Sequence, residues 1–273
     1  MAWLYLVINA LLLTLAGILG WGSRRLRPRP YAVCLAAAAA LLVFRSYLHA
    51  HPEHEQVLLG LSDDYVYLAG WDAPLAVWMV FALAARLQNA RFRRCVCWAL
   101  ALAGPLFAFD SLALCFQPDY TMPARFDQAG VCRQGTDYSC GPAAAVTVAR
   151  AAGKTISEGE MASLCLLRPR KGVTALELCR ALNIALRPTR QRATIRRLRP
   201  DQIDGVRLPF LAEVRRGGAS EHCVVVLEVR AGKLIVGDPA QGRYSTSRED
   251  FLSDWTGLAI TVEPLSPRAL SRR

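Results

Sequence analysis

The chain has 273 residues, with 33 lysines and arginines against 22 acidic residues for a formal charge of +11, and a hydrophobic share of 53%. A share that high, with a positive mean hydropathy, excludes an ordinary soluble protein. The charge does not argue for nucleic acid, because no zinc-finger, aromatic-strand or helix-turn-helix pattern accompanies it, and a basic face beside a bilayer attracts anionic headgroups.

The apolar excess lies before residue 117. Four stretches there, at about 2–21, 31–48, 66–87 and 95–116, each approach the roughly 20 residues that span hydrocarbon, so residues 1–116 are expected to be an α-helical transmembrane bundle of four spans. The first stretch is not expected to be a signal peptide: no basic segment precedes it, arginines follow it directly, and further spans come after. Arg24, Arg25, Arg27 and Arg29 fill the first loop and Arg91, Arg93 and Arg94 the third, whereas the second is acidic, with Glu53, Glu55, Asp63 and Asp64. The positive-inside rule then puts the first and third loops in the cytoplasm, and the N-terminus, the second loop and everything after the fourth span outside it. The expectation is a multi-pass integral protein of the cell membrane, with the lipid bilayer as a partner. Arg45, Asp72 and Asp110 fall at one depth in their spans, which fits an ion-paired cluster that stabilises the bundle. His49, His51 and His54 beside Glu53 and Glu55 read as a short solvated turn, and no metal or other cofactor is expected.

Residues 117–127 carry two prolines and read as a linker. The informative stretch follows: Gln134-Gly135-Thr136-Asp137-Tyr138-Ser139-Cys140-Gly141-Pro142, then the helix-forming run 143–152. A helix begun at Gly141-Pro142 points free N–H groups and the positive end of its dipole at the Cys140 sulfur, which favours the thiolate. Such a nucleophile needs a base. Of four histidines only His222 shares this half of the chain, where it opens the apolar run 223–227. Asp238, in Gly237-Asp238-Pro239, ends the next strand-like run. With Arg230-Ala231-Gly232 as the turn, the two strands are antiparallel neighbours, and the carboxylate comes near the imidazole it orients. Gln134 and the backbone N–H of Cys140 are the candidate oxyanion donors.

Around these motifs, apolar residues recur at helical spacing in 156–167 and 173–183, and 208–214, 222–229, 234–237 and 258–262 read as strands. Helices first and strands later make residues 128–264 an α+β domain, with the nucleophile's helix packed on an antiparallel sheet and the site in the cleft between them; 265–273 is a polar tail. Arg187, Arg190, Arg192, Arg196, Arg197 and Arg199 form a basic run assigned to the membrane surface. Cys132, Cys165, Cys179 and Cys223 admit either disulfides or isolated buried thiols.

Taken in order, Gln134, Cys140-Gly141-Pro142-Ala143, Lys171-Gly172-Val173-Thr174, Leu208-Pro209-Phe210-Leu211, Glu221-His222-Cys223, Gly237-Asp238-Pro239-Ala240-Gln241-Gly242 and Phe251-Leu252 with Trp255-Thr256-Gly257 resemble the bacteriocin-processing, double-glycine leader cysteine peptidases of the papain-like group. The resemblance covers about residues 128–264. It implies a papain-like fold, Cys140 as nucleophile, His222 as general base and acid, Asp238 as orienter and Gln134 as oxyanion donor, with cleavage after small residues, typically a Gly-Gly pair. Two side chains depart from the family pattern, Ser139 where aspartate is usual and Cys223 where an aromatic is usual; with Gly141 they are expected to flank the substrate cleft. The peptidase also follows a membrane segment instead of preceding one, and no Gly-x4-Gly-Lys-Ser/Thr pattern of an ATP-binding cassette occurs.

The expected function is that of a membrane-anchored cysteine endopeptidase, acting outside the cytoplasm on a peptide or exported protein by thiolate attack and hydrolysis of the acyl-enzyme. Two alternatives stay open: a non-cleaving peptide-binding module of a membrane export or assembly machine, and an acyl transferase working through the same thioester.

Overall fold

The computed structural model describes residues 2–59, 72–92, 94, 95, 120–216, 220–230 and 232–265. They form two compact units, one of Met1–His51 and Asp63–Phe116, the other of Pro52–Ser62 and Gln117–Arg273.

The first unit contains α1 (Ala2–Gly22), α2 (Pro28–Ala50) and α4 (Asp72–Ala85), while α3 (Pro52–Leu59) belongs to the second. Pro28 opens α2 in its first turn, where a missing N–H has no intrahelical partner to lose. Gly20 lets α1 and α4 touch: a Cβ there would stand 2.5 Å from the Trp78 carbonyl oxygen. Tyr31 of α2 donates its hydroxyl to the Ala82 carbonyl at 2.9 Å, and the Arg86 guanidinium lies 3.5 Å over the Tyr31 ring. Among the described residues one helix, Pro28–Ala50, is long and apolar enough to cross a membrane. Of the four expected spans, the one at 31–48 falls on that helix, so a bundle of four spans is not shown; the stretches at 2–21 and 66–87 overlap α1 and the 14-residue α4, and the fourth lies outside the described residues apart from its first position. Arg45 is buried in α2, and its expected partners fall outside what is described, Asp72 in its side chain and Asp110 entirely.

The second unit is built on a six-stranded sheet, all of it antiparallel, in the order β3-β8-β4-β5-β6-β7. Its strands are β3 (Gln191–Arg197), β4 (Phe210–Arg216), β5 (Ser220–Arg230), β6 (Lys233–Asp238), β7 (Gly242–Ser247) and β8 (Trp255–Pro264). A two-stranded ribbon of β1 (Arg125–Phe126) and β2 (Cys132–Arg133) precedes them. Helices α5 (Cys140–Ala151), α6 (Glu158–Leu164) and α7 (Ala175–Ala185) come before the sheet in sequence, and α8 (Arg248–Asp254) lies between β7 and β8. Helix α5 packs on the central strands β4, β5 and β6. A separate core joins Phe210, Val224, Val226, Leu234 and Val236 of the sheet to Ile203, Phe251 and Trp255.

The α+β expectation, with helices before strands, holds in the structure, and so do its strands within one to three residues at each end. Three readings change. Within the expected linker, the described residues 120–127 are packed, because Tyr120 donates its hydroxyl to the Leu167 carbonyl at 2.6 Å and Arg125–Phe126 pairs with Cys132–Arg133. The stretch after His51 is helix α3, not a solvated turn: its Glu55 and Gln56 are buried, and Gln56 Oε1 accepts the Ile195 N–H of β3 at 2.8 Å. Strand β3 is an outer strand of the sheet, and that contact satisfies an N–H its missing neighbour would otherwise have taken. Thirdly, half of the basic run, Arg192, Arg196 and Arg197, lies on β3, with Arg196 on Glu263 at 2.7 Å and Arg197 on Glu53 at 2.9 Å.

Candidate active site

Cys140 is the first residue of α5, and the sequence around it explains the placement. Gly141 must lack a side chain, since a Cβ there would lie 2.6 Å from Val173 Cγ2, and Pro142 suits a first turn that needs no N–H. The 168–174 segment that comes so close is itself fixed. Arg168 is paired with Glu177 at 2.9 Å, and Glu177 closes a capping box with Thr174 at the start of α7.

On the sheet side, β5 presents His222 near its first residue and β6 ends at Asp238. His222 Nε2 and Asp238 Oδ1 are 2.8 Å apart, Asp238 is fully buried, and the same oxygen accepts the Ala240 N–H at 2.7 Å. With Nε2 on the carboxylate, the ring's other nitrogen is the one left for sulfur. Gly237 makes room for this end of β6, because Val131 Cγ2 occupies space 2.8 Å from where its Cβ would be. The same loop brings in Gln134, whose backbone N–H donates to the Pro239 carbonyl at 3.0 Å, and Arg133 donates to the Ala240 carbonyl.

The electrostatics suit a nucleophile. Burial opposes ionisation of the Cys140 thiol, yet the hydrogen bond from His222, those from the Cys223 and Gly141 N–H groups and the charge of His222 outweigh it, so the thiol is held below its ordinary value. Burial likewise works against charge on His222. Its hydrogen bonds to Asp238 and Cys140, and their charges, nevertheless lift it to about 9. The other thiols of this unit are pushed the other way: burial raises Cys132 to about 12 and drives Cys165, Cys179 and Cys223 up as well. Cys132, Cys140, Cys165, Cys179 and Cys223 are all free cysteines, which settles the open choice in favour of isolated thiols.

Cys140, Gly141, His222 and Cys223 line one cleft together with Lys171, Val173, Leu178, Leu211, Glu213, Leu258 and Ile260. The structure therefore brings together Cys140, His222 and Asp238, and puts Gly141 and Cys223 at the cleft as expected. Ser139 is different. It is fully buried, its hydroxyl donates to Glu158 Oε1 at 2.7 Å and accepts the Thr136 N–H at 3.0 Å, so it supports the loop and does not flank substrate. The Gln134 carboxamide donates to the Thr136 carbonyl at 2.8 Å. Glu158 and Glu213 were not legible as site residues: an acid in the first turn of a helix ordinarily faces solvent and the helix dipole, and an acid within a strand ordinarily marks its exposed side.

A Cys-His-Asp array in a cleft between a helix start and a sheet defines a cysteine peptidase, and comparison with known proteins names the family. A model of the peptidase C39 family matches residues 128–266, just over half of the chain. The chain belongs to the peptidase C39 family, whose members cleave double-glycine leader peptides. It is similar to an uncharacterised protein of Methanothermobacter marburgensis, 35% identical over 133 residues, which cover 49% of this chain and 87% of the relative. It is also similar to the probable functional amyloid protease FapD of Pseudomonas fluorescens, 29% identical over 187 residues, 62% of this chain and 79% of that one. Among solved structures, the peptidase domain of Streptococcus ComA, a bifunctional ABC transporter involved in a quorum-sensing pathway, matches with 28% identity and a TM-score of 0.43, covering 48% of this chain and 96% of the domain. A double-glycine-motif protease from an AMS/PCAT transporter, in complex with the leader peptide, matches with 22% identity and a TM-score of 0.44, covering 55% of this chain and 99% of that one.

Proposed function

We propose that the protein is a membrane-anchored endopeptidase in which the Cys140 thiolate attacks the scissile carbonyl, His222 donates the proton to the leaving amine and then activates water, and Asp238 holds the imidazole. The observation that carries this reading is the Cys140 thiol held low beside a histidine lifted to about 9 and braced at 2.8 Å by a buried aspartate. Gln134 is the side-chain oxyanion donor in this mechanism: one of its amide hydrogens is on Thr136, and the other serves the oxyanion together with the Cys140 N–H.

The substrate is an extended peptide segment with small residues, typically two glycines, before the cut. The similarity to a probable functional amyloid protease points to an exported subunit, or a component of its export or assembly machinery, as the natural target. Anchoring is supported by the exposed Leu15, Ile18, Val33 and Val43 on α1 and α2, an apolar surface that lipid covers. The extracytoplasmic reading is supported by the arginines of the first and third loops and by α3, whose residues follow α2 directly and pack with the peptidase domain, so the second loop and the catalytic domain share a side. Comparing the secreted and envelope proteins of cells carrying the intact enzyme with those of Cys140→Ala cells tests the proposal. An uncut precursor should accumulate in the mutant; identical protein termini in both would rule out the endopeptidase role.

A further inference from the structure

We propose that Glu158 is a positioning residue for the oxyanion donors, because one oxygen of its buried carboxylate holds both Gly135, the residue after Gln134, and Ser139, the residue before Cys140. The inference rests on the roles given above to Gln134 and the Cys140 N–H. Glu158 is 1% exposed, and its Oε1 accepts the Gly135 N–H at 2.8 Å and the Ser139 hydroxyl at 2.7 Å. The loop from one donor to the other is thus tied at both ends to a single atom.

That atom is itself well anchored. Helix α6 starts in a capping box of Ser157 and Glu160, and the Gly159 N–H donates to the Met122 carbonyl at 2.8 Å. A Cβ at Gly159 would lie 2.0 Å from the Tyr120 carbonyl oxygen, so the glycine beside Glu158 lets the helix press against the 120–122 segment. A second effect follows at the nucleophile. Ser139 stands at the N-cap of α5, where a serine hydroxyl normally accepts an N–H of the first turn, and here it makes no such bond. Glu158 and Thr136 engage that hydroxyl instead, which leaves the first amides of α5 to the sulfur and to the oxyanion.

The test compares two reactions of Cys140 in the full chain: acylation by p-nitrophenyl acetate, which passes through a tetrahedral oxyanion, and alkylation by iodoacetamide, which builds none. In Glu158→Ala, acylation should fall about 10²-fold, as expected for the loss of an aligned oxyanion donor, while alkylation changes little. Glu158→Gln keeps an acceptor oxygen for both bonds and should recover most of the acylation rate. Ser139→Ala cuts one of the two ties and should fall between. Undiminished acylation in Glu158→Ala overturns the proposal, as does a parallel loss of both reactions in all three variants, which would mark general loss of structure. If Glu158→Ala does not accumulate, Ser139→Ala decides: an unchanged ratio of the two rates overturns it. Failure of the underlying site assignment would show separately, as acylation that survives in Cys140→Ala.

Discussion

The chemistry of this peptidase is carried by the opposite treatment of chemically identical groups. Burial raises a thiol, as it does first of all for Cys132, Cys165 and Cys179, and among the described residues only Cys140 has an imidazole and two backbone donors to reverse it. Limited iodoacetamide at neutral pH should therefore label Cys140 alone within the 120–265 region, which peptide mass mapping checks. Cys140→Ala should abolish turnover, and His222→Ala should cost at least about 10²–10⁴-fold. Asp238→Asn should be milder, and Cys223→Ala should keep most of the activity, because the group of Cys223 that meets the sulfur is its backbone N–H. The pH profile has a defined sign. Activity should fall on the acid side as the Cys140 thiolate takes up a proton, at a pH below the ordinary thiol value, and on the alkaline side as His222 loses its proton near pH 9. A profile that keeps rising well past that point would show that the ion pair is not the active form. At this scale the sequence was most informative: Cys140, His222 and Asp238 each sat at a recognisable start or end of an element. Glu158 was not legible: Ser157-x-x-Glu160 marks Glu160 as the capping acid, but nothing in the sequence shows that Glu158 turns inward.

Helix α3 is the element that sequence reasoning misjudged, and its burial pattern explains why. The periodicity test assumes that the apolar side goes in, yet here Glu55 and Gln56 are buried while Val57 and Leu58 are exposed. The polar side faces inward because an outer strand offers it a backbone donor: Gln56 Oε1 takes the Ile195 N–H, and the Cys179 thiol donates to the same oxygen at 3.5 Å. Gln56→Ala should leave a buried N–H without a partner and cost about 1–3 kcal/mol. The result should be a melting temperature lower by several degrees with unchanged kcat on a double-glycine peptide; an unchanged melting temperature would mean that α3 adds nothing to the fold. Strands β3 and β7 were missed for a related reason. In β3 only Ala193 and Ile195 are buried among seven residues, and β7 carries a single aromatic side chain, Tyr244, and no aliphatic one, so neither shows the apolar alternation of an inner strand.

For the whole molecule, composition spoke for the membrane and motif order for the peptidase, while the joining of α3 to the peptidase unit depends on contacts more than a hundred residues apart in sequence. Such pairings leave no local pattern to read. The orientation is open to a direct test. A reporter active only outside the cytoplasm should work when fused after Arg273, and one placed in the second loop should agree with it, since α3 and the peptidase share a unit. Activity from a fusion at Arg27, with silence after Arg273, would reverse the orientation and place the cleft in the cytosol.

The position of β8 has a consequence for how the enzyme comes into being. It lies between β3 and β4 and is the last of the described strands to leave the ribosome, so until about residue 264 has been synthesised the sheet lacks the strand that joins its two parts. Leu258, Ala259 and Ile260 of the cleft wall are absent for the same interval. A nascent or prematurely stopped chain then holds the nucleophile, its base and its carboxylate beside a cleft that lacks one of its walls. The cleft is therefore completed only when the last of the described strands inserts between two that were made before it.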